Sequence, residues 1–309
     1  MNAVVGAALP VFGLIVVGWL AGRTRLLDGG ATDSLNRFAI YLALPALLFT
    51  VMAKADPAAI AQGRLAAAWA IGVAVPFGAA FWLARSRGRR VAEAGIWGLD
   101  AGYANAGFMG IPLCLLVFGE AAGPAIILTV LLTATVLFLF AVVLIESDLR
   151  GGGSAWQTLR RVGPSVLRNP LLLAPLAGLA VALTGWPLPA PLDRFATLLG
   201  AAASPVALVC IGLFLSQERM GGDVGPVAAL VALKLVGQPL VTAICVFGIF
   251  DVPAVPAKVA VIAAALPTGT GPFTLAKLHG FEAQVTSTAI LASHVVSVVT
   301  VSALVAWLA

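Results

Sequence analysis

Long apolar runs follow one another along almost the whole chain, with only short polar stretches between them. The runs are continuous and rich in Ala, Leu and Val, and they lack the apolar–polar alternation of membrane β-strands. A helix needs about 20 apolar residues to cross the hydrocarbon core of a bilayer. The pattern therefore predicts an all-α membrane protein with ten spans, at residues 3–22, 34–53, 65–85, 95–119, 122–146, 167–185, 193–215, 225–249, 257–279 and 284–309.

The basic residues predict how these spans are oriented. Of the 18 Lys and Arg residues, 13 fall in loops or at span ends on one side, Lys234 lies within a span, and four are on the other side: Lys54, Arg64, Arg194 and Lys258. Basic residues are retained preferentially on the cytoplasmic side of a membrane. We therefore expect a multi-pass protein of the cell inner membrane with both termini on the non-cytoplasmic side.

The spans divide into two halves around residues 147–166, a polar stretch predicted to be a cytoplasmic linker. Residues 1–146 and 167–309 would each hold five spans. Because five is an odd number, the second half would enter the membrane with the opposite orientation, as in the inverted repeats of many secondary transporters. A shift of 160 residues supports this plan, since it aligns Pro10 with Pro170, Gly18 with Gly178, Pro45 with Pro205, and Pro112 with Pro272.

Composition narrows the class of protein further. Apolar residues make up 61% of the chain and charged residues 10%, against about 25% charged in soluble domains. The basic residues form no single face, so nucleic acid is not an expected partner. The three cysteines lie in apolar runs without ligand spacing, which predicts neither a disulfide nor a metal site. The sequence has no phosphate-binding loop and no catalytic motif, so we expect no enzyme activity and no cofactor.

Two predicted spans differ from ordinary membrane helices. The fourth contains YANAGFMGIP at residues 103–112, and the ninth contains LPTGTGPF at residues 266–273. Proline removes a backbone donor and glycine leaves helical geometry cheaply. Together they predict an unwound segment near mid-membrane in each half. The remaining span prolines are interpreted as simple kinks: Pro10, Pro45, Pro76, Pro205 and Pro239.

An unwound backbone in a membrane must face protein or a water-filled cavity. Each break would also expose the N-terminus of a half-helix, with Pro112 and Pro272 in its first turn. Helix N-termini carry partial positive charge and unpaired N–H groups, which together favour an anion. The predicted substrate-binding residues are Asn105, Gly107, Gly110, Pro112, Pro267, Thr268, Thr270 and Pro272.

Charged and strongly polar residues inside spans are costly and call for an explanation. Lys234 is interpreted either as a snorkelling side chain or as a charge that attracts the anion or pairs with a carboxylate. Asp100 occupies either a wet position near a span end or a proton-coupling or gating position. Gln238, one turn after Lys234, lines the same face or simply packs. His294 is interpreted as an interhelical hydrogen-bonding residue, and His279 as a solvated loop residue.

Three stretches resemble the auxin efflux carrier family: NRFAIYLALPALLF at residues 36–49, GFMGIP at 107–112 and ALPTGTGPFTLAKLHG at 265–280. The resemblance extends along nearly the whole chain and includes bacterial PIN-like carriers of the malonate or malate type. It implies two inverted five-helix repeats, with helices 4 and 9 crossing at the transport site. It also implies a scaffold of helices 1, 2, 6 and 7, through which PIN carriers form homodimers. Asn105, Pro112 and Pro267 match the crossover residues of the family.

The leading functional hypothesis is a secondary transporter that carries small organic anions by alternating access at this crossover. A cation or proton antiporter or symporter of the same architecture is the alternative, although such sites usually need carboxylates. An intramembrane sensor or enzyme is a third class. We disfavour it because the two histidines are isolated and no soluble output domain is present. The expected partners are an organic anion, the lipid bilayer and a second copy of the chain.

Overall fold

The computed structural model describes residues 2–56, 62–149, 160, 168–218 and 221–308, and the side chains of residues 2–8 and 29 are left out of the description. Most of the predicted linker, residues 147–166, lies outside these ranges. Within them, apart from one isolated bridge, the regular structure is helical.

The helices follow the predicted spans closely, and we number them in chain order. The first half contains α1 (Asn2–Arg23), α2 (Gly29–Phe38, Ala39–Ala43 and Leu44–Ala53), α3 (Gly63–Ser86), α4 (Val91–Gly102), α5 (Ala106–Gly110 and Ile111–Phe118) and α6 (Gly123–Leu131, Leu132–Leu137 and Phe138–Leu149). The second half contains α7 (Pro170–Thr184), α8 (Ala190–Ala201 and Ala203–Gln217), α9 (Val224–Ala232, Leu233–Gly237, Gln238–Ala243 and Ile244–Ile249), α10 (Ala254–Ala265), α11 (Gly271–Leu278) and α12 (Gln284–Leu308).

Six helical stretches in the described ranges are long and apolar enough to cross a bilayer: Gly30–Ala53, Gly63–Ser86, Ala106–Leu149, Ala190–Gln217, Val224–Ile249 and Gln284–Leu308. Shorter apolar helices include Pro170–Thr184 and Ala254–Ala265. Their outward faces carry bare hydrophobic side chains such as Val75, Phe195 and Val299. This is the surface that hydrocarbon would cover, and the chain is a multi-pass membrane protein.

Three prolines inside spans are accommodated by the same local backbone geometry. Pro45, Pro112 and Pro239 each stand two residues after a wide π-helical turn, at Ala39–Ala43, Ala106–Gly110 and Leu233–Gly237 respectively. A proline ring crowds the carbonyl four residues earlier and cannot donate to it. The wider turn moves that carbonyl away, so the helix continues through the proline.

Glycines bring one group of helices into backbone contact. A Cβ atom at Gly18 on α1 would collide with the carbonyl of Val209 on α8, and one at Gly178 on α7 would collide with the carbonyl of Phe49 on α2. Small residues permit such close approach in membranes, where apolar burial alone does not drive helices together. Helices α1, α2, α7 and α8 are therefore tied in pairs by tight backbone packing.

Candidate functional site

The two interrupted spans meet inside the protein. The fourth span stops at Gly102 and resumes at Ala106, while the ninth stops at Ala265 and resumes at Gly271. Their non-helical segments pair as an isolated antiparallel bridge between Ala104 and Thr268. The Asn105 amide donates to the Pro267 carbonyl and the Gly269 amide donates to the Tyr103 carbonyl, both at 2.9 Å. Each break thus satisfies backbone groups of the other, as buried peptide groups require.

The first break covers only part of the stretch that predicted it. An unwound segment was expected within YANAGFMGIP at residues 103–112, with Pro112 in the first turn of the following half-helix. Only Tyr103–Asn105 leave helical geometry. Pro112 occupies the first turn of Ile111–Phe118, as expected, and the π-helical turn Ala106–Gly110 precedes that turn. In the ninth span, Pro272 occupies the first turn of α11.

Asn105 is the polar side chain at the rim of the first break. Its Nδ2 lies 3.3 Å from His294 Nε2, and His294 Nδ1 lies 2.8 Å from the Ile290 carbonyl oxygen. Because a carbonyl can only accept, Nδ1 carries the ring proton and Nε2 accepts the hydrogen bond from Asn105. The histidine thereby fixes the amide of Asn105 in one orientation.

Thr268 is the buried polar residue of the second break, and both its hydroxyl and its backbone amide are hydrogen-bonded. Its hydroxyl donates to the Asp100 carbonyl oxygen at 2.8 Å, and its backbone amide donates to Ser293 Oγ at 3.2 Å. Asp100 is fully buried, so the wet position considered above is wrong. Its Oδ2 accepts a hydrogen bond from Thr286 Oγ1 at 2.8 Å, and its Oδ1 has no hydrogen-bond partner among the described residues.

Lys234 and Gln238 hold the ends of the helices that precede the breaks. Lys234 Nζ donates to the Ala264 carbonyl oxygen at 2.7 Å, and Gln238 Nε2 donates to the Gly102 carbonyl oxygen at 3.2 Å. Both side chains are fully buried on α9. Lys234 therefore does not snorkel, and it takes part in no ion pair between described residues.

A cavity of about 280 Å³ lies against the paired breaks. One wall is made of the first residues of α5 and α11 and the segments before them, including Asn105, Gly107 and Thr270. Side chains of α2 and α6 form an apolar wall with Leu44, Leu48 and others. Its described lining residues include no Asp, Glu, Lys or Arg. Polar contacts would come from backbone amides, the side chains of Asn105 and Asn169, and hydroxyl groups.

The predicted residues divide into two sets. Asn105, Gly107 and Thr270 line the cavity, whereas the other proposed binding residues and the three proposed coupling residues are absent from its lining: Gly110, Pro112, Pro267, Thr268, Pro272, Asp100, Lys234 and Gln238. Sequence reasoning did not single out Tyr103, Thr133 or Thr274, which also line the cavity. Tyr103 could have been predicted as a lining residue, because it belongs to the stretch YANAGFMGIP that indicated the first break. No feature of the sequence marked Thr133, because it lies within a long apolar helical stretch.

Comparison with known proteins identifies the family of this chain. The sequence profile of the family described as "Membrane transport protein" matches residues 3–305. The chain belongs to this family. The resemblance to the auxin efflux carrier family is thereby confirmed. This membrane transport protein is 30% identical over 309 residues to a Rhizobium meliloti (strain 1021) protein named "Putative malonate transporter", covering 98% of this chain and 95% of the relative.

Two further relatives carry less specific names. An "Uncharacterized transporter" of Methanothermobacter thermautotrophicus is 27% identical over 303 residues, covering 94% of each chain. The "Uncharacterized transporter YfdV" of Escherichia coli (strain K12) is 24% identical over 240 residues, covering 76% of each chain. The family and the names of its relatives indicate a transporter. The paired breaks therefore lie in a transmembrane transport protein and form its candidate site.

Proposed function

We propose that the protein is a secondary transporter that moves small organic anions, such as mono- or dicarboxylates, across the cytoplasmic membrane. One observation carries the proposal: the cavity beside the paired breaks is bordered by the N-terminal ends of two helices and by no charged side chain among the described lining residues. The name of the Rhizobium meliloti relative points toward the same class of substrate.

The chemistry of the cavity suits an anion. The first N–H groups of a helix have no partner within that helix, and the helix dipole adds partial positive charge at the same place. α5 and α11 both present such ends to the cavity. Asn105 and Thr270 add neutral polar groups that can orient a carboxylate. The volume is at the lower limit for small-molecule sites, roughly 300 Å³, which favours a compact acid.

The mechanism would be alternating access in two inverted repeats, residues 1–146 and 167–309. The glycine contacts support the repeat, because a shift of 160 residues converts the Gly18–Val209 contact into the Gly178–Phe49 contact. Helices α1, α2, α7 and α8 would form the scaffold, since those backbone contacts tie them together. The other helices, including both breaks, would rock against it and expose the cavity to each side in turn.

Two further parts of the proposal rest on the sequence. The distribution of basic residues supports a topology with both termini on the non-cytoplasmic side of the inner membrane. The resemblance to PIN carriers favours a homodimer formed through the scaffold. Cysteine-accessibility labelling from outside intact cells would test the first, and mass measurement of the purified protein in detergent would test the second.

Uptake into liposomes tests the main proposal. Purified full-length protein would be reconstituted and assayed with labelled malonate, malate, lactate and indole acids. We expect anion-dependent flux from the wild type and none from Asn105→Ala, at unchanged yield and thermal stability. Gln217→Ala is the matched control, because it removes an exposed amide at the end of α8. Absence of flux with every anion, in folded protein, would refute the proposal.

A cation or proton antiporter or symporter is the second candidate, and the buried carboxyl of Asp100 favours it. Intramembrane carboxyl groups without a cationic partner commonly mark ion pathways. Sodium- or proton-driven flux that is independent of organic anions and lost in Asp100→Asn would identify this function. Anion flux retained in Asp100→Asn would exclude it.

A further inference from the structure

An apolar groove of about 400 Å³ lies between α3 and α6. Trp69 and Phe77 are buried and form part of its floor, whereas Val136 and Phe140 are exposed at its edge. Its described lining side chains carry no polar group except the indole N–H of Trp69, which donates to Thr133 Oγ1 at 3.2 Å. The groove therefore offers an occupant dispersion contacts and no free side-chain hydrogen bond.

The groove is continuous with the surface that faces hydrocarbon. Residues 69–77 of α3 contribute to it, and they occupy the middle of a 24-residue helix that can cross a bilayer. The exposed side chains of Val75 and Trp82 continue the same outward surface along α3. Water needs polar partners that the groove side chains do not provide. An acyl chain of a membrane lipid therefore matches the groove in both chemistry and depth.

A single segment of α6 separates the groove from the candidate site. Within Leu132–Leu137, which is π-helical, Val136 lines the groove, whereas Thr133 and Ala134 line the cavity beside the paired breaks. The hydrogen bond from Trp69 to Thr133 joins the two compartments. The position of Trp69 in the groove thus determines where the hydroxyl of a cavity-lining residue lies.

The floor of the groove also contacts the helix that ends at the first break. A Cβ atom at Gly98 would lie 2.7 Å from the Phe77 ring, and one at Gly102 would lie 3.4 Å from the Val73 side chain. Gly102 is the last residue of α4. An occupant of the groove therefore contacts side chains that pack on the first break as well as Trp69, which holds the cavity wall.

We propose that one acyl chain of a membrane phospholipid occupies the groove between α3 and α6 and stabilises the cavity wall and the first break, so that transport depends on an occupied groove. The dependence of transport rests on the proposed anion transport, whereas the occupancy of the groove does not. In an empty groove, Trp69, Val73 and Phe77 lack contacts on one side and are freer to move.

Photo-crosslinking tests the occupancy. Full-length protein would be placed in liposomes of phosphatidylethanolamine and phosphatidylglycerol, with a diazirine in one acyl chain of the phosphatidylethanolamine, and labelled peptides would be mapped by mass spectrometry. Ala74→Leu fills the groove, so labelling of Val136 and Phe140 should fall about three-fold or more. Labelling of Val299, which is exposed on α12, should not change. Ala79→Leu is the matched control, because Ala79 is exposed on α3 and does not line the groove.

Equal labelling of the groove in wild type and Ala74→Leu would overturn the proposal. Cross-links between two copies of the chain in the groove, in place of lipid, would overturn it too and identify a second copy as the occupant. If Ala74→Leu does not fold, Ala70→Leu makes the same test, since Ala70 also lines the groove.

Uptake of labelled malonate tests the effect on transport. Methyl-branched acyl chains are bulkier than straight ones, so flux of the wild type and of Ala79→Leu should fall about three-fold or more in liposomes of branched lipids. Ala74→Leu should transport equally in both lipids, because the leucine replaces the acyl chain. The same loss in Ala74→Leu as in the wild type would overturn the link to transport. Absence of wild-type flux with every anion would refute the proposed function, and the labelling would still decide the occupancy.

Discussion

The two breaks share a backbone pattern but differ in how side chains complete them. Each accepts one hydrogen bond from the other across the Ala104–Thr268 bridge. At the first break, Asn105 lies at the cavity and is fixed by His294. At the second, Thr268 turns its hydroxyl to the Asp100 carbonyl and is absent from the cavity lining, where glycines and Thr270 replace it. Backbone pairing therefore builds the site, and the first break supplies its specific amide.

The glycines of the second break are closely packed, whereas Gly107 of the first break has open space beside it. A Cβ atom at Gly271 would lie 2.8 Å from the Tyr103 ring and 3.3 Å from the Phe138 ring. We expect Gly271→Ala to destabilise the protein by about 1–3 kcal/mol and to lower anion flux at least ten-fold, because both rings must shift in the site. Thermal unfolding in detergent and liposome flux would measure the two effects. Restoration of flux by a second change, Tyr103→Leu, would assign the loss to this contact.

Substitution of His294 should have the next largest effect on flux, because His294 is the hydrogen-bond acceptor that orients Asn105. His294→Leu leaves a buried amide donor unpaired, which costs about 1–3 kcal/mol, and lets the Asn105 side chain rotate. We expect a several-fold loss of flux, mainly through a raised KM. His294→Gln, which can still accept a hydrogen bond, should lose less.

A double-mutant cycle separates this coupling from packing. Because Asn105→Ala is expected to abolish flux, the cycle is read in the free energy of unfolding. If the histidine acts through the amide, His294→Leu should cost less stability in an Asn105→Ala background than in the wild type, since no buried amide donor is then left unpaired. Additive effects of the two substitutions would contradict the assignment of His294 as the residue that positions Asn105.

The sequence predicted the helices and the ninth-span break well, because both depend on local signals. Apolar run length locates the helices, and Pro267, Gly269 and Gly271 fall in or beside the observed break. The first break is shorter than the stretch YANAGFMGIP that predicted it, since the π-helical turn Ala106–Gly110 resumes helical structure directly after Asn105. The contact between Asn105 and His294 joins residues 189 positions apart, and no local pattern encodes it. The support from Lys234 and Gln238 is equally long-range.

Thr268 should show a smaller effect, confined to stability. Thr268→Val keeps the shape of the side chain but leaves the Asp100 carbonyl without its donor, so we expect a loss of about 1 kcal/mol. Thr268→Ser keeps the hydroxyl and should stay closer to the wild type. Since Thr268 is absent from the cavity lining, the KM of the folded Thr268→Val variant should change by less than two-fold. A large KM change with unaltered stability would place Thr268 in the binding site instead.

Gly107 completes the comparison, because it is the cavity-lining glycine of the first break with open space beside it. A Cβ atom there would meet nothing within 4 Å. Gly107→Ala should therefore leave thermal stability within about 0.5 kcal/mol of the wild type. The added methyl group narrows the cavity, so we expect flux of the bulkier indole acids to fall more than flux of malonate. If Gly107→Ala destabilised the protein as strongly as Gly271→Ala, the two breaks would be equally crowded, and the contrast between them would be wrong.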